Sequence, residues 1–366
     1  MRGVVPVFLI IIMQMISGVA CALSMTFINP GKTTEPYWVL AVDGMQQAAS
    51  SLNVELEVLT TERDYLAQLH LIHALAQRPA ELRPDYLIIA AEKSTVQGQL
   101  QAAEQTGIPV LLAFNAVTGD EHEQLGYPRQ RVTNWRGSWV PMAEEGGYIA
   151  ARTLITHAIE QLPEGAPLTM IAVAADRSTH TSLARNQGLL QALQEFPQVQ
   201  LRQQVHADWS YDKALVQTRH MLRRYPDVRL IWNASDLQAY GAIQAVRETG
   251  RVPGKDVFIS AINATTEGVE ALLGGELSAL AGGHHMAGAW AVVLLHDYHH
   301  GVDFMDADGN AELEYSMFSL LDKHLASQLL ERRKRQYITD FCPYSRVCNP
   351  ALSEYDFTYA TWLAGE

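Results

Sequence analysis

The residues best placed to recognise a small molecule stand near the start of the chain. There Asn29-Pro30-Gly31 and Pro36 punctuate the segment between a short apolar run (Met25, Phe27, Ile28) and a helical pattern beginning at Tyr37-Trp38. That order reads as strand, loop, helix. In an open parallel α/β sheet, ligands bind beyond the carboxyl ends of strands. The loop would therefore set the Asn29 amide and two aromatic rings at the mouth of a crevice, where rings stack on a ligand and an amide orients it. The same two rings fit equally well as core residues of the helix, and this segment alone does not choose. His284 and His285 follow Gly282-Gly283 at the end of another apolar run, where they too would face a ligand.

Signatures of covalent or metal chemistry are missing or misplaced. There is no Walker-type phosphate loop and no HExxH. Ser210-Tyr-Asp-Lys213 spells SxxK without the companion motifs of the serine acyl-enzymes. Aligning Gly309 with the glycine of a calcium loop puts Phe304 and Tyr315 at ligand positions, so Asp306 to Glu312 reads as a solvated turn. His296, His299 and His300 have chelating spacing on one helix, but histidines are common at a helix C-terminus, where they complement the dipole. No metal and no cofactor is expected.

Composition narrows the compartment and the partners. Met1-Arg2, an apolar run from Val4 to Ile16 and Ala20-Cys21-Ala22 read as a secretory signal over residues 1–22, removed before Leu23. The run is shorter than the ~20 residues that span a bilayer. A lipid-modified Cys21 is disfavoured by Gly18, which stands where leucine is usual. Without Arg2 the chain carries 26 basic against 40 acidic residues, a formal charge of −14. Nucleic acid is therefore not an expected partner. Cleavage leaves Cys342 and Cys348, which in an oxidising compartment read as a small disulfide loop; two thiols without a neighbouring histidine do not make a zinc site.

The elements that must position these residues alternate. Apolar strands near 54–59, 85–90 and 109–114 are separated by helical patterns near 63–76 and 97–105, the rhythm of a parallel sheet covered on both faces. From Thr118 to Pro141 the pattern breaks into polar, Trp-rich sequence, read as irregular and as the first crossing to a second lobe. The rhythm then restarts, with helices near 144–161, 181–195, 211–225 and 237–249 and strands near 168–174, 201–205, 228–233 and 257–262. A short helix at 266–273, a strand at 279–282, an apolar helix at 287–300 and one last strand at 314–321 follow. The chain, 366 residues and 48% hydrophobic, is long enough to give each of two lobes its own core.

Several motifs in this order resemble the type I periplasmic solute-binding proteins, with the ribose- and galactose-binding proteins as familiar members. Asn-Pro-Gly with Tyr37-Trp38 is similar to the family's first strand and aromatic loop, and Arg185-Asn-Gln-Gly188 to its arginine-plus-glycine helix start. Ala207-Asp-Trp209 is similar to its aromatic loop. Ser235-Asp236-Leu-Gln-Ala239-Tyr-Gly241-Ala242 resembles its Asn-Asp-x-x-Ala-x-Gly-Ala signature, with Ser235 in place of the usual asparagine. Asn115 and Asn263 stand where an aspartate often accepts from sugar hydroxyls; an amide both donates and accepts, so hydroxyl recognition is kept and negative charge is lost. The Pro-Gly loop, the Tyr-Trp pair and the Asp85-Tyr-Leu-Ile strand also resemble the autoinducer-2 receptor of the same superfamily, which signals through a membrane kinase.

The resemblance implies two doubly wound parallel-sheet lobes joined by a multi-strand hinge. The lobes are expected at residues 23–138 with 284–316 and at 139–283 with 317–335, with a disulfide-bearing tail at 336–366. It implies a ligand site of Asn29, Tyr37, Trp38, Asn115, Arg185, Trp209, Ser235, Asp236, Asn263 and His284, in which Trp209 opposes Tyr37 or Trp38. The expected function is capture of a small polar, sugar-like ligand by a monomeric periplasmic receptor and its presentation to a membrane permease or a sensor kinase. The basic run Arg332 to Arg335 would be a docking patch or a solvated helix face. A secreted hydrolase using Asp176 and Asp236 is the rival from another class, and it lacks a nucleophile elbow or metal motif.

Overall fold

The computed structural model describes residues 22–364, so residues 1–21 of the expected signal segment, Cys21 among them, lie outside the described residues. The chain runs β1 (Leu23–Asn29), α1 (Pro36–Ser51), β2 (Val54–Thr60), α2 (Tyr65–Ala76), β3 (Tyr86–Ile89), α3 (Val96–Thr106), β4 (Val110–Ala113), α4 (Gly119–Leu125) and β5 (Trp135–Pro141). It continues with α5 (Ala143–Gln161), β6 (Leu168–Ala174), α6 (His180–Glu195), β7 (Val199–His206), α7 (Tyr211–Arg224), β8 (Leu230–Asn233), α8 (Asp236–Glu248), β9 (Phe258–Ile262), α9 (Thr266–Leu273) and β10 (Ala279–Gly282). A 3₁₀ turn at His284–Met286 leads into α10 (Ala287–His299), β11 (Glu312–Tyr315), β12 (Ser319–Leu320), α11 (Lys323–Lys334) and α12 (Tyr359–Ala364).

The strands form two six-stranded sheets, ordered β2-β1-β3-β4-β5-β11 and β7-β6-β8-β9-β10-β12. All neighbours are parallel except β12, which runs antiparallel to β10. β1, β3, β4, β6, β8, β9 and β10 are buried nearly throughout, as strands covered by helices on both faces must be.

Two expectations fail for identifiable reasons. Residues 118–141 are not irregular, for they hold α4 and the whole of β5. Gly137 masks the strand pattern, yet it is required there: a Cβ would lie 2.5 Å from the Phe304 ring and 2.6 Å from the Ala311 carbonyl, where β11 comes alongside. The expected last strand at 314–321 is two strands in two different sheets. Met317 and Phe318 stay buried through the crossing, so the apolar run hides the break. The basic run is a solvated face only in part: Lys334 and Arg335 are exposed, but Arg332 is buried and Arg333 donates to the Ala264 carbonyl.

Candidate ligand-binding site

A cavity lies where the carboxyl ends of both sheets face one another. About 70 Å³ of it is open to the centre of a water-sized sphere. One water needs roughly 10–15 Å³ by the same measure. The space thus suits a small ligand. Tyr37, Trp38, Asn115, Arg185, Trp209, Ser235, Asp236, Asn263 and His284 all line it.

Asn29 does not line it. Its buried Oδ1 accepts from the Gly31 N–H at 2.9 Å and so shapes the turn behind the site. Gly31 must be glycine because a Cβ would sit 1.9 Å from Trp38 Cδ1. Asn29 therefore acts one step back, by letting the Trp38 ring pack under the loop.

The first-lobe wall is aromatic on one side and charged on the other. Trp38 meets Phe114 edge-on at 5.0 Å and Tyr37 at 5.1 Å, which fixes the Tyr37 ring over the cavity. Glu35, Arg63 and Glu92 form the other side. Arg63 is paired with Glu35. Glu92, buried just past β3, accepts from Asn115 Nδ2 at 2.7 Å on one oxygen and finds no partner for the other. Burial pushes its carboxyl up to about 7, against the pull of Arg63 and Lys93.

The second-lobe wall is built around one guanidinium. Gly188 lets α6 press against α5, since a Cβ there would be 2.0 Å from the Glu144 carbonyl; this close packing carries Arg185 inward. Arg185 donates to the Ala234 carbonyl at 2.6 Å and to His284 Nε2 at 2.8 Å, and its Nε has no partner. Burial lowers its pKa to about 10. Because the guanidinium can only donate, His284 accepts through Nε2 and carries its proton on Nδ1, which is left unpaired. Burial, with Arg185 beside it, pushes the imidazole well below its usual pKa and keeps it neutral. The His284 ring is stacked between Tyr37 at 5.1 Å and Phe318 at 4.4 Å.

Trp209 is held by groups of its own lobe. Its ring lies 5.4 Å from the Arg185 guanidinium, and its Nε1 donates to Asp176 at 2.7 Å. Asp236 and Ser235 mainly serve the wall itself. Asp236 accepts from Leu237 N, Asn263 Nδ2 and Thr265, and Ser235 caps α8 through Gln238. Asn263 lends its amide to Asp236 at 2.9 Å, which turns its carbonyl oxygen into the group free to accept from a ligand.

Two sets of contacts tie the lobes together at the cavity. Asn115 Oδ1 accepts from the Thr181 N–H at 3.3 Å, so this amide is committed both to Glu92 and to the opposite lobe. Lys93, which does not line the cavity, reaches across to Asp208 at 2.7 Å and to Asp176 at 3.7 Å. These ion pairs exist only with the lobes together, so they favour the closed form by their differential contact. Lys93→Ala should therefore weaken ligand binding by about 0.5–1 kcal/mol, mostly through faster release, and the effect should shrink at high salt. Stopped-flow dissociation at two ionic strengths measures it; an unchanged release rate would dismiss the latch.

Sequence reading missed Glu92, Glu35, Arg63, Thr181 and Phe318 as cavity residues. Glu92 carried a usable signal, since it is the first charge after the unbroken apolar stretch Tyr86 to Ala91. Arg63 and Glu35 meet only because the loops after β1 and β2 lie side by side, which no local pattern announces.

A cavity between two parallel-sheet lobes, walled by flat rings and hydrogen-bonding groups from both, defines a protein that binds a small polar ligand between its lobes. The chain belongs to the periplasmic binding protein domain family, whose profile matches residues 25–301. It is 34% identical to a periplasmic sugar-binding protein of Pseudomonas fluorescens, whose crystal structure superposes with a TM-score of 0.83 over 93% of this chain and 99% of that one. It is 26% identical to the ribose import binding protein of Salmonella typhimurium over 67% of this chain and 74% of that protein. It is also 22% identical to the D-apiose import binding protein of Actinobacillus succinogenes over 67% of this chain and 72% of its relative.

Proposed function

We propose that this protein captures a single-ring sugar in the periplasm and presents the closed, loaded form to the membrane permease of an importer. The observation that carries this reading is the buried Arg185 guanidinium, which has neutral partners only and an unpaired Nε. A buried charge of this kind needs acceptor atoms, and sugar hydroxyls supply them while the ring's apolar faces meet Tyr37 and Trp209. Asn263 Oδ1 and His284 Nδ1 offer one acceptor and one donor beside it, the mixed pattern that hydroxyls satisfy. The relatives named for ribose and D-apiose import support the same class of ligand. On this reading the protein works as a monomer, is exported by a cleaved signal, and returns its ligand chemically unchanged.

A thermal-shift screen against D-ribose, D-apiose, D-allose and furanose sugars tests it. At a hundredfold excess over Kd the true ligand should stabilise the fold by about 2.7 kcal/mol, a clear rise in melting temperature. A chain that ignores every sugar and shifts with amino acids or organic acids instead would sink the proposal.

A further inference from the structure

Beyond the 25–301 span of the family profile, the chain leaves the second lobe again after the last of the hinge crossings. It already passes from one sheet to the other between β5 and α5, between β10 and α10, and between β11 and β12. Helix α11 then packs on α9 of the second lobe, and Arg333 donates to the Ala264 carbonyl there. The segment that follows turns back over the first lobe: Thr339 N–H donates to Gln47 at 3.0 Å and Phe341 N–H to Ser51 at 2.8 Å, both residues of α1.

Its firmest hold is on Asp297, a fully buried carboxylate of α10. Ser345 Oγ–H donates to one oxygen, while the Arg346 N–H at 2.6 Å and Tyr355 Oη–H at 3.0 Å donate to the other. Burial opposes ionisation, but a hydrogen bond with His296 Nδ1 of the same helix, together with those from Ser345, Arg346 and Tyr355, holds the carboxyl below its usual range. Ser345 and Arg346 lie inside the loop that begins at Cys342 and ends at Cys348. The structure holds both cysteines as free thiols rather than as the expected disulfide, and Cys348 is the neighbour that does most to push the Cys342 thiol up, to about 11. The segment finally returns to where it started. Trp362 covers the Arg332 guanidinium at 4.4 Å on α11, Tyr337 lies 4.2 Å from the same group, and Tyr359 packs against His285.

We propose that residues 335–362 form a strap that binds the two lobes together behind the hinge, and that a Cys342–Cys348 disulfide locks its grip on Asp297. Closing the bond joins the two sulfurs and releases two protons and two electrons, which a disulfide oxidant such as oxidised glutathione takes up as it becomes two thiols. The closed loop presents Ser345 and Arg346 to Asp297 already in position, so the anchor need not be ordered from a free chain. Opening of the lobes then has to stretch the strap as well as bend the hinge strands.

Thiol titration and hydrogen exchange on the ligand-free full chain, before and after dithiothreitol, test both halves. Protein oxidised with glutathione should show no titratable thiol at Cys342 or Cys348. On reduction, exchange should quicken at least severalfold in 335–349 and also in the hinge crossings at 283–287 and 315–319. Ser345→Ala, which removes one donor and leaves Asp297 its other partners, should reproduce part of the hinge effect in the oxidised state. Two free thiols after oxidation overturn the lock. Faster exchange confined to the tail, with the hinge crossings unmoved in both the reduced protein and Ser345→Ala, overturns the strap.

Discussion

Replacing Arg185 with alanine should weaken binding of the sugar identified by thermal shift by about 1.5–3 kcal/mol, the scale of hydrogen bonds to a charged group. That is roughly a 10- to 150-fold rise in Kd. The loss should be large because the guanidinium is buried, donates to His284 Nε2 and lies against the Trp209 face, so its removal also frees a ring that the ligand would touch. Arg185→Lys should fall between, since lysine keeps the charge but not the planar fork that reaches Ala234 and His284 together. Calorimetric titration, beside melting curves showing both variants folded, measures the effect. Wild-type affinity in a folded Arg185→Ala would remove the arginine from the site and the proposed sugar chemistry with it.

The second large effect concerns Glu92 and pH. Its carboxyl titrates near 7 in the folded chain, above an ordinary value of 4.5, chiefly because it is buried; Asp176 and Glu35 push the same way, and Arg63 and Lys93 resist. The folded state therefore holds this proton more tightly than the unfolded one. The stability so contributed is complete below about pH 4.5 and is lost as pH rises through about 7. The gap is worth on the order of 3 kcal/mol. Glu92→Gln keeps the shape and cannot ionise, so it should match the wild type in acid and exceed it by up to about that amount at pH 8. Melting temperatures across pH 4–8 check the sign. A variant less stable than the wild type at pH 8 would mean that the carboxylate is better satisfied than its unpaired oxygen suggests.

The sequence made the lobes legible because parallel strands buried on both faces leave continuous apolar runs, and β3, β4, β6 and β9 all show one. The positions of Arg185, Trp209 and Asn263 could be read because each follows or faces the carboxyl end of a strand. Their division of labour could not. Asp236 and Asn115 look like ligand groups by position, and only the folded chain shows their atoms engaged by Asn263 and Thr265, and by Glu92 and Thr181. The tail was legible only as a pair of cysteines and a basic run. What it holds, the buried Asp297, sits near the C-terminal end of an apolar helix, and its partner Ser345 lies 48 residues further along the chain.

The loops that make the cavity also bear on the heat of binding. Lys93, Ser94, Phe114, Asp208, Trp209 and Asn263 all have positive φ, and each follows a strand at the carboxyl edge of its sheet. Non-glycine residues held there cost roughly 1–3 kcal/mol apiece, borne by the surrounding packing when the chain folds. The incoming molecule then has little backbone left to order. Its heat-capacity change should therefore be small and negative, reporting the apolar surface that the ligand and the closing lobes bury, without the large contribution that accompanies loops folding around a guest.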